Sequence, residues 1–149
     1  MNEKFSKSVK NFIDKTNKRL NYIFSDVCKS LSKKIAMRTP VKTGRCLASW
    51  SPSINQISVM KHSGFDFKSE ADRERNKEKA LKVVIPIIDG KCSSLKLTDT
   101  YYFCNPWYYS VLLEYGHSKL APNGMVRITM EESDIYIKNA VAKAKLEYK

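Results

Sequence analysis

The chain has 149 residues and a mass of 17.2 kDa, enough for one domain with a modest core. Hydrophobic residues make up 42% and charged residues 28%, with five Gly and five Pro, which rules out wholesale disorder and collagen-like repeats. The formal net charge is +12, and the excess is lopsided: residues 1–45 hold 12 Lys/Arg against only Glu3, Asp14 and Asp26, which points to a polyanion, an acidic protein surface or an anionic membrane.

The longest strongly apolar stretch, Val83 to Ile88, is interrupted by Pro86. It falls far short of the ~20 residues of a bilayer span, so no membrane role is expected. The start, Met1-Asn2-Glu3-Lys4-Phe5, lacks the apolar region of a secretory signal, so export is not expected. Of the four cysteines, Cys28, Cys46, Cys92 and Cys104, no two stand at C-x-x-C spacing, and His62 and His117 are distant in sequence. Four reduced thiols are expected, with neither metal nor cofactor.

The first 37 residues read as one amphipathic helix. At 100° per residue, Phe5, Val9, Phe12, Ile13, Leu20, Ile23, Phe24, Val27, Leu31 and Ile35 fall within an arc of roughly 140°. Lys7, Lys10, Lys15, Lys18, Lys29 and Lys33 lie elsewhere on the circle, as a basic outer face. Thr39-Pro40 ends the helix, because a residue before proline is pushed out of the α region. Such a helix is roughly 50 Å long, whereas a compact chain of this size is about 40 Å across. Two outcomes are open: the helix kinks or frays, or its far end packs on a neighbouring subunit.

Thr39-Pro40-Val41-Lys42-Thr43-Gly44-Arg45 is a turn-rich connection. Leu47–Trp50 and Ile54–Met60 read as a hairpin split by Ser51-Pro52-Ser53, and residues 61–69 as a loop. A second helix is expected over Ser69–Val84, ended or kinked by Pro86, with Asp89-Gly90 as a turn. Its six basic and five acidic residues between Asp66 and Lys82 read as a solvated surface. Thr100–Cys104 is a strand by composition, and Trp107–Tyr115 a short helix with Gly116 just past its end. Ala121-Pro122-Asn123-Gly124 is a turn. Val126, Ile128 and Met130 alternate as a short strand would, which overlaps a capping pattern, Thr129-x-x-Glu132, opening a last helix to about Lys145. Ile135, Tyr136, Val141 and Leu146 are its candidate packing residues. The whole predicts an α+β fold over 1–149: a long helix, 1–38, on a body, 39–149, with a small, mostly antiparallel sheet, a charged middle helix and a C-terminal helix.

Chemistry is sparse. There is no G-x-S-x-G, no H-E-x-x-H and no phosphate-cradling glycine loop. Glu114 reads as a structural carboxylate, His117 as a residue beyond a helix end and His62 as solvent-exposed. Seven of the 16 aromatic residues cluster at Tyr101, Tyr102, Phe103, Trp107, Tyr108, Tyr109 and Tyr115. They suit core filling or a protein interface, with base stacking as the alternative.

The run Tyr101–Arg127 resembles the neck, or tail-completion, proteins of tailed bacteriophages. The match falls on Asn105, Tyr109, Leu113, Glu114, Tyr115, Gly116, Ser118, Ala121, Pro122, Gly124, Met125, Val126 and Arg127. Thr39, Pro40, Val41, Thr43 and Gly44, followed by Ser49-Trp50 and preceded by a long helix, resemble the same family in the same order. Ser110 stands where that pattern has Ala, and segment 61–82 matches no part of it. The resemblance implies a non-enzymatic virion protein at the head–tail junction, made in the bacterial cytoplasm. It would assemble with itself as a ring and touch neighbouring connector and tail proteins.

On that reading Thr39, Pro40, Gly44, Tyr109, Glu114, Tyr115, Gly116, Ser118, Pro122, Gly124, Met125 and Arg127 are motif or interface residues. The Glu114 and Pro122 turns would sit together, with Arg127 paired to Glu114. Lys7, Lys10, Lys15, Lys18, Lys29 and Lys33 would meet passing genomic DNA or an acidic partner, or form a solvated face. The alternative from another class is a basic nucleic-acid-binding protein using the first helix.

Overall fold

A computed structural model describes residues 2–148. The fold is α+β, dominated by helices, and its longest element is α1 (Glu3–Arg38). Asn2 accepts the Lys4 N–H at 3.1 Å and so caps the start of α1. The helix ends at Thr39, as the following proline requires. No Gly or Pro interrupts it, so its 36 residues span roughly 54 Å.

After α1 come α2 (Arg45–Ala48), β1 (Ser51–Ile54), α3 (Asp72–Ser93), β2 (Tyr101–Cys104), α4 (Tyr109–Glu114), α5 (Val126–Glu131) and α6 (Ser133–Glu147). α1 packs on both α3 and α6, while α3 also carries α2 and β1. The core lies where these elements meet: Ile35, Ala36, Val41, Leu47, Trp50, Ala80, Val84, Ile88, Cys92 and Met125. The two strands are antiparallel, with Ser51 opposite Cys104 and Ile54 opposite Tyr101.

Thr39 ties the end of α1 to the sheet. Its buried hydroxyl donates to the Ile35 carbonyl at 2.9 Å and accepts the Trp50 Nε1–H at 2.8 Å. Trp50 in turn stacks on Phe103 with ring centres 4.8 Å apart. The Thr39 hydroxyl and the Trp50 N–H thus satisfy each other, which offsets the cost of burying them.

Several expected elements are different. The hairpin over Leu47–Trp50 and Ile54–Met60 is replaced: Leu47 belongs to α2, and β1 is Ser51–Ile54, made of the Ser51-Pro52-Ser53 stretch expected to turn and the first residue of the second expected strand. Pro52 is tolerated because the Asn55 N–H donates to the Thr100 carbonyl, which fixes Pro52 at a position that gives no ladder bond to β2. The chain does reverse after Ile54, at Asn55 with φ 62°. The returning segment is held by hydroxyls rather than a ladder. The N–H groups of Ser58, Met60 and His62 donate to the side chains of Ser53, Ser51 and Ser49 at 3.3, 2.9 and 2.8 Å.

α3 does not stop near Val84 but runs through Pro86 and Gly90 to Ser93. Its buried residues are Asp72, Asn76, Ala80, Val84, Ile88 and Cys92, a ridge at steps of four, while Pro86 and Gly90 are exposed. Burying Val84 and Ile88 is worth about 3–6 kcal/mol, which is enough to offset the ~3 kcal/mol cost of an interior proline.

Val126–Met130 is helix α5, not a strand, and Thr129 lies inside it rather than capping the last helix. The Thr129 hydroxyl donates back to the Met125 carbonyl at 2.6 Å and accepts from Arg38 at 3.0 Å. The single residue Glu132 separates α5 from α6 and pairs with Arg38 at 2.6 Å. Its buried residues are Ala140 and Ala144. Ile135 and Leu146, expected to pack, are 57% and 70% exposed, because small residues let α6 lie close on α1.

Pro86→Ala restores one helical hydrogen bond at an exposed position. It should raise stability by about 1–2 kcal/mol in urea unfolding. An unchanged or lower value would show that the neighbouring helices require the proline.

Candidate interface site

Segments 39–45 and 105–128 converge on one side of the body. Asn105 donates to the Cys46 carbonyl at 2.8 Å, and Trp107 Nε1–H donates to the Ser49 hydroxyl at 2.9 Å. Arg45 and Lys61 each lie 5.1 Å from the Trp107 ring centre. Two grooves open along the seam. One, of about 450 Å³, is lined by Pro40, Val41, Thr43, Gly44, Tyr109 and Ser118, among others. The second, of about 350 Å³, is lined by Met37, Pro40, Glu74, Leu120, Pro122 and Ile128, among others. Val41 and Arg73 belong to both.

α4 ends as its sequence predicts. The Gly116 N–H donates to the Leu113 carbonyl at 3.2 Å and the His117 N–H to the Leu112 carbonyl at 3.1 Å, a doubly bonded helix end with Gly116 at φ +82°. The turn at Pro122 then presses on it: a Cβ on Gly116 would sit 2.5 Å from the Pro122 carbonyl oxygen. Gly124, also at φ +82°, passes so close to Glu114 that a Cβ would lie 2.7 Å from its Oε1. Both positions therefore demand glycine twice over, by backbone conformation and by contact.

Glu114 is the hub. Its Oε2 accepts the N–H groups of Met125 and Val126, each at 2.8 Å, and its Oε1 accepts that of Arg127 at 2.9 Å. These are the orphan donors at the start of α5. The Arg127 pairing exists, but not as a two-armed grip on the carboxylate. Nε reaches Oε1 at 3.2 Å while the other arm donates to the Glu114 backbone carbonyl at 2.8 Å. The guanidinium also lies 5.0 Å from the centre of the Tyr115 ring. Burial pushes the Glu114 pKa up, but the backbone N–H bonds and Arg127 outweigh it and hold the carboxyl below the ordinary glutamate range.

The tyrosines of this region, the motif residues Tyr109 and Tyr115 and their neighbour Tyr108, divide by exposure. Tyr108 and Tyr115 are 82% and 66% exposed, whereas Tyr109 is half-buried and its hydroxyl is pushed up to about 12 by burial. Ser118 caps its own turn, accepting the Leu120 N–H at 3.3 Å. His117 does lie beyond the α4 end, with Nδ1 3.0 Å from the Leu112 carbonyl. His62, expected in solvent, is half-buried, accepts the Gly64 N–H at 2.9 Å and packs on Phe65. All four cysteines are free thiols, and burial pushes Cys28 and Cys46 up to about 12.

The six lysines of α1 do not form one set. Lys29 and Lys33 turn to Asp89 of α3, at 3.0 and 2.7 Å, so they clamp two helices instead of facing outward. Lys7, Lys10, Lys15 and Lys18 are exposed.

Residues of the charged segment 66–82 matter more than a solvated surface would. Buried Asn76 donates from Nδ2 to the carbonyls of Lys42 and Asp66, at 3.0 and 2.9 Å, and Arg73 donates to the Val41 carbonyl. Together they hold the 40–44 turn in place. The four-residue spacing from Asp72 through Cys92 was the signal that could have found Asn76, whereas nothing in the local pattern singles out Arg73.

No helix among the described residues is long and apolar enough to cross a membrane. No family model matches the chain, and neither a curated protein nor a solved structure matches it.

Gly124→Ala should cost about 2 kcal/mol or more in denaturant unfolding, against little for an alanine at exposed Gly90. Glu114→Gln tests the hub through pH. Because the folded carboxyl titrates below its unfolded value, its contribution is full above the ordinary glutamate pKa and is lost as pH falls through the folded value. The wild type should exceed the variant by about 1–2 kcal/mol at neutral pH, with the gap closing below about pH 4. A gap independent of pH would count against the carboxylate as the anchor.

Proposed function

We propose that this chain is a structural protein of a tailed bacteriophage, a ring subunit of the neck that completes the tail or joins it to the capsid connector. The observation that carries the reading is the convergence of its two family-like segments. Thr39–Gly44 and Tyr109–Arg127 are more than 60 residues apart, yet they line the same grooves and share the ridge of Pro40, Val41 and Arg73. Residues that resemble one family in two separate places thus serve one surface. That surface is built from turns and capped helix ends around apolar grooves, with the exposed Tyr108 and Tyr115 on the neighbouring α4, which suits contact with protein.

The protein would be made in the host bacterial cytoplasm and end in the particle. The rival, a nucleic-acid-binding protein using α1, is weakened by the Asp89 clamp, which turns two of the six lysines it would use onto α3 and offsets one of their charges. The four exposed lysines of α1 still suit weak, sequence-blind attraction to DNA passing through a ring.

The test is a phage with a stop codon in this gene. Filled heads and separate tails are expected, with joining restored when the protein is supplied from a plasmid. Infectious particles of normal yield without the protein would overturn the reading. Salt separates the two classes in solution. Association of copies through apolar surface should persist at high salt, whereas affinity for a DNA duplex should fall steeply.

A further inference from the structure

Among the described residues, the outer end of α1 has no partner. Residues 3–15 are all exposed, and the first ties to the body are Arg19 to the Tyr148 carbonyl, Asn21 to the Leu97 N–H and Tyr22 against the Tyr148 ring. Yet this end carries an apolar stripe: Phe5, Val9, Phe12 and Ile13 are 62%, 41%, 71% and 50% exposed. The stripe continues the line of Ile23, Val27 and Leu31, which are half-buried where α1 reaches the body. Isolated helix of this length is marginal in water, so the stripe calls for a cover.

Charge restricts what the cover can be. At 100° per residue, Lys15 and Lys10 flank the stripe, each about 60° beyond one of its edges, while Asp14 falls on the opposite face, and residues 3–15 hold four lysines against Glu3 and Asp14. Two such stripes laid together would set lysine against lysine. The matching surface is an apolar groove with carboxylates at its rim.

The smaller of the two grooves fits that description. Met37, Pro40, Val41, Leu120, Pro122 and Ile128 make it apolar, and Met37 and Leu120 are 52% and 59% exposed. Its arginines are already committed, Arg38 to Glu132 and Arg73 to Glu70 and the Val41 carbonyl. What remains unpaired among the described residues is Glu74, with Glu131 on the adjoining surface, against Lys77. The groove lies at the Arg38 end of α1, and the stripe at the Glu3 end, roughly 45 Å away along a continuous helix. A chain cannot fill its own groove.

We propose that the outer end of α1 seats its Phe5–Ile13 stripe in the Pro40–Leu120 groove of a second copy of this chain, an amphipathic helix in an apolar groove. The contact is head-to-tail, so each copy offers one helix and one groove, and the series closes as a ring or runs on as a filament. It deepens the ring-subunit reading and rests on it for the meaning of the closure.

Because the two halves of the contact are on different surfaces, they can be broken separately. Wild-type protein at millimolar concentration should sediment as an oligomer. Phe12→Glu, at an exposed helix position, should weaken association by about two orders of magnitude, as loss of an aromatic anchor does, and so should Leu120→Glu. Circular dichroism and melting temperature should be unchanged in both. Mixed together, the two variants should form a one-to-one dimer, since one keeps its groove and the other its helix. A mixture that stays monomeric, or either variant assembling like the wild type, would overturn the contact. A wild type monomeric at millimolar concentration would also overturn it, while leaving a ring assembled on the phage particle intact. Normal particles without the protein would instead overturn the neck reading and leave this contact standing.

Discussion

A half-buried carboxylate must find donors, and Glu114 finds them in the first N–H groups of α5. That single requirement organises the seam between the helices. It makes residues 126–131 a helix, because the orphan donors of its first turn are satisfied from outside. It brings the end of α4 so close to the Pro122 turn that only glycine fits at 116 and 124. It also sets Arg127 between the carboxylate and the Tyr115 ring. The groove walls at Leu120, Pro122 and Ile128 stand where they do because these backbone segments are pinned to one side chain.

The sequence was most readable where local rules decide. The proline after Thr39 ended α1, the glycine at 116 ended α4, and the aromatic run at 101–104 paired as a strand. It misled where a distant residue supplied what local pattern lacked. Alternating Val126, Ile128 and Met130 looked like a strand because nothing nearby announces that Glu114, twelve residues before Val126, will cap a helix. Pro86 looked like a stop because its cost is local, whereas the gain from Val84 and Ile88 comes from helices far away in sequence.

The site was legible in its parts rather than in its assembly. The resemblance marked the turns, and a Glu114–Arg127 pair was foreseen, although not the backbone half of it. Arg73 and Asn76, which hold the 40–44 turn, lay in a segment whose mixed charges look like plain solvation. Net charge was equally coarse. Lys29 and Lys33 count toward the basic excess, yet Asp89 uses both to fasten α1 to α3.

That fastening bears on how the free end of α1 behaves. Asp89 holds one flank of the helix, Asp26 reaches Lys143 of α6 at 3.0 Å, and Ser25 donates to the Cys92 carbonyl at 2.6 Å. Surface ion pairs of this kind are individually weak, but they act on a helix already seated by Ile35 and Ala36 in the core. With no glycine or proline between residues 3 and 38, direction set in the second half of α1 is carried to the first. The outer end is therefore an aimed arm rather than a loose tail, and an arm that is already aimed loses less freedom when it docks. The cost of a helix longer than its body is an uncovered apolar stripe. The return is a contact whose direction is fixed by the fold, which a closed assembly of identical subunits requires.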